Sequence, residues 1–204
     1  MAEQSSIHPY LNWTKQRIDE MDATLASLEA QAGKAKAESK VKADQLIADL
    51  TKRRDEFQAK ARAQQESGEA ALKAGKAQLE TQWQGFEVQV KTYFDSLGKQ
   101  VDQQKATFHS AAAAQVKAWR EAAEKFQSEA TKIVAARRTD LDAAVKQMKA
   151  DAAEAEARLQ KLKQAGSESW AGLSAALAES RKAFDGANQK AGDALKGAVR
   201  SDTA

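Results

Sequence analysis

Cysteine is absent from the 204-residue sequence, and proline occurs once, at Pro9. Without cysteine the chain has no disulfides, no thiolate metal ligands and no cysteine nucleophile. Large apolar side chains are also scarce, because Leu, Ile, Val and Phe together make up 32 residues. That number is too small to fill the core of an ordinary globular domain of this length. These shortages exclude a compact α/β enzyme and a β-sandwich.

Long apolar segments are missing as well. The N-terminus, MAEQSSIHPY, has neither the basic start nor the apolar stretch of a secretory signal. The longest wholly apolar run is the four alanines at 111–114, far short of the ~18–20 residues that span a bilayer. We therefore expect a cytoplasmic protein.

The sequence shows no pattern of catalytic or metal-binding residues. His8 and His109 are about a hundred residues apart and neither lies in an H-x-x-x-H pattern. Asp140 and Asp142 are two residues apart, so on a helix they point to different faces and make poor acid–base partners. No glycine-rich phosphate motif occurs. We expect no catalytic residue, cofactor, metal or small-molecule substrate.

Helix-forming residues dominate instead. Alanine alone accounts for 45 residues, and Ala, Glu, Lys, Leu and Arg for 107 of 204. Such a composition, combined with a helical period, is typical of a coiled coil or long helix. An apolar stripe runs from Leu79 to Leu162 in 23 steps, or 3.61 residues per step, close to the period of a straight α-helix. The stripe predicts a long central helix that continues through Gly85 and Gly98.

The best helix breaks are the Gly–Ser pairs at 67–68 and 166–167. Cutting there leaves two outer segments whose combined length is close to that of the middle one. Folded back antiparallel, they predict an all-α elongated rod or coiled coil of about 145 Å, with the long central helix flanked by two shorter ones. The predicted elements are a flexible N-terminus at 1–9 and a single helical domain at 10–204, with helices at about 10–66, 69–165 and 168–200.

An internal repeat is suggested by a shift of 98 residues. The shift places Gly68 on Gly166 and Phe86 on Phe184. Alanine-rich helices can align at any shift that preserves the helical phase, but the aligned glycines and phenylalanines favour a duplicated helical hairpin. The predicted pseudo-repeats span about 10–108 and 109–204.

A rod only two helices thick leaves one side of each helix uncovered, and helices of this kind gain most of their stability from packing. We therefore expect self-association, most simply as a homodimer, and a non-enzymatic structural or scaffolding role. The residues predicted to form the self-association stripe are Trp83, Phe86, Val90, Phe94, Phe108, Trp119, Phe126, Leu141 and Met148.

The N-terminal third resembles a family of bacterial coiled-coil stress-response proteins first described in cyanobacteria. The similarity lies in Trp13 with Ile18-Asp19 and Met21-Asp22, then in LEAQAGKAKAESK (28–40) and DQLIADLTKRRDEFQAK (44–60). It covers about 10–90, with an echo in GSESWAGL (166–173). The resemblance implies a cytoplasmic, non-catalytic helical protein linked to stress, and it brings no functional residues to carry over.

The alternative function is binding to a membrane or lipid surface, in the manner of BAR-type rods, phasins or exchangeable apolipoproteins. Long amphipathic helices with aromatic residues on the apolar face and lysines beside it support this function. The protein would then lie at the inner face of the membrane, in contact with anionic lipid. The residues predicted to touch the lipid are Arg181, Lys182, Phe184, Lys190, Leu195, Lys196 and Arg200.

Weak nucleic-acid binding is a third function to consider, because the pI is near 9. Residues 1–98 hold 14 basic and 15 acidic side chains, and residues 99–204 hold 18 and 14. Phosphate binding needs a concentrated basic face, which this spread of charge does not provide. The charge pattern therefore argues against a nucleic-acid partner.

Overall fold

The computed structural model describes residues 8–34, 37–67, 69–96, 101–135, 138–164 and 170–200. This part of the chain forms a bundle of α-helices and contains no strand, which confirms the all-α prediction. The helices are α1 (Pro9–Ala32), α2 (Ala37–Glu66), α3 (Glu69–Ser96), α4 (Val101–Thr131), α5 (Thr139–Gln164) and α6 (Trp170–Arg200).

Helix α1 lies at the centre of the bundle. It begins after His8, whose Nδ1 accepts a hydrogen bond of 3.1 Å from the backbone N–H of Tyr10. Pro9 stands at the start of the helix, where its missing N–H costs nothing. Fourteen of the 24 residues of α1 are buried, and the helix packs against α2, α4 and α6. A helix covered on several sides is a core helix and not one of the two helices of a two-helix rod.

The buried apolar side chains form two core clusters. The first joins α1, α2 and α3 to the early part of α4, to Leu159 near the end of α5 and to the start of α6, and it contains Trp13, Phe57 and Phe94. The second joins the later parts of α4 and α6 to α5, and it contains Trp119 and Phe126. Helices α4 and α6, each 31 residues long, therefore run through both clusters and connect them.

The helix lengths correct the predicted rod. The predicted helix at 69–165 is divided into α3, α4 and α5, and the one at 10–66 into α1 and α2. No described helix is longer than 31 residues, so a two-helix rod of about 145 Å is not the arrangement of this chain. The physical reason is that chain reversals let the shorter helices cover one another on several sides, which a straight helix pair cannot do.

The predicted breaks at Gly68 and Gly166 both lie outside the described residues, as does Gly98. Helix α2 ends at Glu66 and α3 begins at Glu69, while α5 ends at Gln164 and α6 begins at Trp170. Helix α1 ends before Gly33, where the sequence predicted a continuous helix. The duplication stays a prediction, as does the N-terminus at 1–9, of which residues 1–7 lie outside the described part.

The start of α1 is held against α6 by a buried pair of asparagines. The Asn12 side chain donates to Asn188 Oδ1 at 3.0 Å, and Asn188 Nδ2 donates to the carbonyl of Pro9 at 2.6 Å. One turn further along α6, Gly192 faces the Pro9 ring. A Cβ on Gly192 would lie 2.1 Å from Pro9 Cγ, so only glycine allows this approach.

Substitution of Gly192 by alanine should therefore destabilise the bundle, although alanine is the better helix former. We expect the free energy of unfolding to fall by about 1–3 kcal/mol, the usual cost of overpacking. Urea denaturation followed by circular dichroism measures it. The matched control is Gly186→Ala in the same helix, where a Cβ meets nothing within 4 Å and stability should rise by about 0.5–1 kcal/mol. Equal effects of the two substitutions would contradict the α1–α6 contact.

Candidate functional site

Five charged side chains gather where α1, α3 and α6 meet, next to the boundary between the two core clusters. We call this group the charge layer; it consists of Arg17 and Glu20 on α1, Glu87 on α3, and Arg181 and Asp185 on α6. Glu20 is 1% exposed, Arg17 2% and Arg181 6%. Charged side chains are almost never buried to this degree unless they are paired.

Glu20 is the central acceptor of the charge layer. Its Oε2 accepts a hydrogen bond of 2.7 Å from Arg181 Nε, and its Oε1 accepts one of 3.1 Å from the side-chain amide of Gln115 on α4. The same amide donates to the backbone carbonyl of Leu177 at 3.2 Å. Arg181 also lies 2.7 Å from Glu87 Oε1 through Nη2. Through these contacts the charge layer ties α1, α3, α4 and α6 together.

The two arginines also lie against tryptophan rings. The Arg17 guanidinium is 5.2 Å from the ring centre of Trp13 and 5.6 Å from that of Trp83, and its Nη2 lies 2.9 Å from Asp185 Oδ2. Arg181 lies 4.9 Å from the Trp83 ring centre. These distances are within the range of cation–π attraction, which is strongest for desolvated cations on Trp. The tryptophans therefore compensate part of the cost of burying the two cations.

Burial and charge act in opposite directions on the pKa values of the layer. Burial raises the pKa of Glu20, against the lowering effect of Arg181 and Arg17. Burial likewise raises the pKa of Asp185, against Arg17 and Lys76. For Arg181 burial lowers the pKa, but Glu20 and Glu87 outweigh it and the pKa is raised. Arg181 is thus a permanent cation inside the bundle, and its neighbours must neutralise it.

A separate buried group provides a prediction about pH. Tyr10, 5% exposed, donates through its hydroxyl to Gln64 Oε1 on α2, and burial raises its pKa to about 12. An unfolded tyrosine ionises near pH ~10, so the folded state binds this proton more tightly than the unfolded state. The contribution of Tyr10 to stability is therefore complete below pH ~10 and is lost as the pH rises from about 10 to about 12.

Ultraviolet absorbance at alkaline pH measures this titration directly. We expect one phenol to ionise near pH 12 in the folded protein, and the Tyr10→Phe variant to lack that step. The second tyrosine, Tyr93, also has a raised pKa because of burial and remains as an internal reference. A single step near pH ~10 that includes both tyrosines would contradict the placement of Tyr10.

The structure places the predicted self-association stripe inside a single chain. All nine of its residues are 0–3% exposed, and they pack on the chain's own helices. Within one chain they form the core, and contact with a second copy stays a prediction. The reason is that the described helices cover these apolar faces within one chain, whereas the predicted rod left them uncovered.

The predicted lipid contacts divide into two groups. Arg181, Phe184 and Leu195 are buried, which the sequence did not predict, whereas Lys182 and Lys190 are exposed. Lys196 is partly buried, and the side chain of Arg200 lies outside the described residues. In this structure α6 therefore presents lysines to solvent while its apolar face is covered.

Helix α5 lies between open clefts. A cleft of about 550 Å³ lies beside the contact between α4 and α5 and is lined by side chains that include Arg120, Glu156 and Leu159. A second cleft, of about 460 Å³, lies between α5 and α6 above Trp119, and a third, of about 230 Å³, lies along α4 beside Ala152. The side chains that α5 buries are apolar, and none of them is aromatic: Leu141, Val145, Met148, Ala152, Ala155 and Leu159.

Within the described ranges no group of three or more His, Asp or Glu side chains could hold a metal ion. Among the same residues, none of the helices combines the length and apolarity that crossing a bilayer requires. No protein-family model matches the chain, and neither does any curated protein or solved structure.

Proposed function

We propose that this protein is a non-enzymatic amphipathic-helix protein that is closed in solution and opens to bind anionic lipid surfaces. The observation that supports the proposal is the separation of side chains in the bundle. The Trp and Phe side chains of α3, α4 and α6 are covered by the chain itself, and lysines of α6 lie outside. An amphipathic helix binds at a lipid interface through the same two faces.

Opening the bundle is energetically accessible in this fold. Small domains are stable by only about 5–15 kcal/mol, and new burial in lipid can offset a cost of this size. Seven of the 14 residues of the second core cluster are alanines, which bury little apolar area each. All residues of the second cluster come from residues 99–204, which hold 18 basic and 14 acidic side chains, whereas residues 1–98 hold 14 and 15.

Flotation with vesicles tests the proposal. We expect the protein to float with vesicles that contain phosphatidylserine, to remain below with neutral phosphatidylcholine vesicles, and to be released by high salt. Reversing two exposed lysines of α6, in the variant Lys182→Glu with Lys190→Glu, should reduce binding about tenfold or more, since each basic residue contributes ~1 kcal/mol near such a surface.

The matched control reverses two exposed basic residues of α2, in the variant Lys52→Glu with Arg62→Glu. It changes the net charge by the same amount on the other half of the molecule and should retain most of the binding. Failure to float under every condition would overturn the proposal. Equal loss in both variants would show that net charge alone, and not α6, determines binding.

A second candidate is the structural, stress-related role as a self-associating scaffold. The charge layer favours it, because a buried ionic network helps to hold a single closed arrangement of helices. Light scattering after size exclusion distinguishes the two. A stable dimer that never floats would support the scaffold, whereas a monomer that floats would support lipid binding.

A further inference from the structure

We propose that α5 is the helix that moves: at an anionic lipid surface it leaves α4 and α6, and the face beneath it contacts the acyl chains. This inference rests on the proposed function and names the surface that carries it. The uncovered face would contain Trp119 and Phe126 of α4 with Phe184 and Leu195 of α6.

The first support is the way α5 is held. It packs against α4 and α6, and clefts of about 550 and 460 Å³ already open along its two sides. Helix α1, by contrast, is covered by α2, α4 and α6 and carries two residues of the charge layer. Separation of α5 therefore breaks fewer buried contacts than separation of α1.

The second support is the weakness of the polar contacts between α5 and α4. Arg120 pairs with Glu156, and Lys149 Nζ donates to Gln127 Oε1. Arg120, Gln127 and Lys149 are exposed and Glu156 is partly exposed, and pairs in this setting contribute little to stability. None of the residues of the charge layer lies on α5, so the layer would stay intact when α5 leaves.

The third support is the match between the uncovered face and an anionic lipid. The rings of Trp119 and Phe184 are stacked with centres 5.3 Å apart, and together they present a broad apolar surface. The exposed Lys182 and Lys190 lie on the same helix as Phe184, where they would meet lipid phosphates. A second copy of this region would bring the same excess of positive charge and be repelled.

Stapling α5 in place tests the inference. Because the chain has no cysteine of its own, a thiol reagent reacts only at the cysteines that are introduced. Gln127→Cys and Lys149→Cys, joined by a short bifunctional maleimide, would fasten α5 to α4 where the two side chains are in contact. The control staple uses Asp22→Cys and Arg54→Cys, which replace an α1–α2 pair at 3.0 Å. Circular dichroism confirms that both stapled proteins remain helical.

The readout is flotation with vesicles of phosphatidylcholine and phosphatidylserine. We expect the α4–α5 staple to reduce flotation at least tenfold, whereas the α1–α2 staple and the unreacted double-cysteine variants float like the parent protein. Brominated acyl chains should quench tryptophan fluorescence in every sample that floats, and in the α4–α5 stapled protein they should not.

The outcomes separate the two proposals. If the parent and both stapled proteins float equally, the role of α5 is overturned and lipid binding stands. If both staples prevent flotation, or the α1–α2 staple alone does so, a different helix movement is required and the assignment to α5 is overturned. If the parent does not float, lipid binding itself fails and the role of α5 fails with it.

Discussion

Replacing Glu20 with alanine should lower the free energy of unfolding by about 3–5 kcal/mol, among the largest effects of any single substitution in this chain. The carboxylate accepts hydrogen bonds from Arg181 and Gln115 in the interior. Its removal leaves the Arg181 guanidinium, 6% exposed, with Glu87 as its remaining ion-pair partner. The cost is that of a buried cation whose more deeply buried counter-charge has been removed.

Urea denaturation measures this loss, and an exposed pair provides the control. Asp44 pairs with Lys40 at 2.7 Å within α2, and both side chains are about half exposed. Asp44→Ala should change stability by no more than about 0.5 kcal/mol. The double variant Glu20→Met with Arg181→Met should recover most of the loss, because an apolar pair needs no counter-charge. A loss below ~1 kcal/mol for Glu20→Ala would show that water reaches the charge layer.

The helical class and the inward face could be predicted from the sequence. The stripe from Leu79 repeats every 3.61 residues, and a residue that recurs at that period stays on one side of a helix. The period depends only on residues close together in the sequence, so it identifies the buried face even where the ends of the helices are predicted wrongly. For this reason the nine predicted stripe residues are all buried, although the rod that was built from them is wrong.

The chain reversals could not be read from the same pattern. Gly33, after α1, and Gly85, inside α3, look alike in sequence, yet a helix ends at one and continues through the other. A glycine costs a helix about 1 kcal/mol, which is small beside the packing gained when a chain folds back. That gain depends on distant helices, so local propensity does not reveal which glycine marks a reversal.

The sequence indicates that polar residues occupy core positions near the charge layer, but it does not indicate which residues pair. Gln115 occupies a position of the apolar stripe, and the apolar spacing in α6 jumps from Leu177 to Phe184 with Arg181 between them. A polar residue at a core position indicates a buried polar partner. Glu20, the partner, is 161 residues away from Arg181 in the chain, and only the fold shows that the two meet.

The difference between the two core clusters indicates which part of the bundle opens in the proposed mechanism. The first contains α1 and lies with the charge layer and the aromatic contacts of Trp13 and Trp83, so it keeps the fold together. The second is rich in alanine and is bordered by the cleft between α5 and α6 and by the smaller one beside Ala152, so a helix that leaves it gives up less buried apolar area. A protein organised in this way can expose one half while the other remains folded.

The sequence predicted that Phe184 contacts lipid, whereas the structure places it in the core. The Phe184→Ala substitution distinguishes these two roles. Phe184 is 1% exposed and its ring stacks on Trp119 at 5.3 Å. We expect a loss of about 3–5 kcal/mol in the free energy of unfolding without any lipid present, the usual cost of truncating a buried phenylalanine. The loss should appear in urea denaturation.

The neighbouring Lys182→Ala variant is the matched control, because Lys182 is exposed on the same helix. It should change stability by less than about 0.5 kcal/mol in buffer while weakening binding to anionic vesicles. If Phe184→Ala is as mild as Lys182→Ala in buffer, α6 does not pack as described and its apolar face is free in solution. If Phe184→Ala lowers the free energy of unfolding by the expected amount in buffer, the ring is buried before lipid is present. Contact of this ring with lipid then requires the bundle to open first.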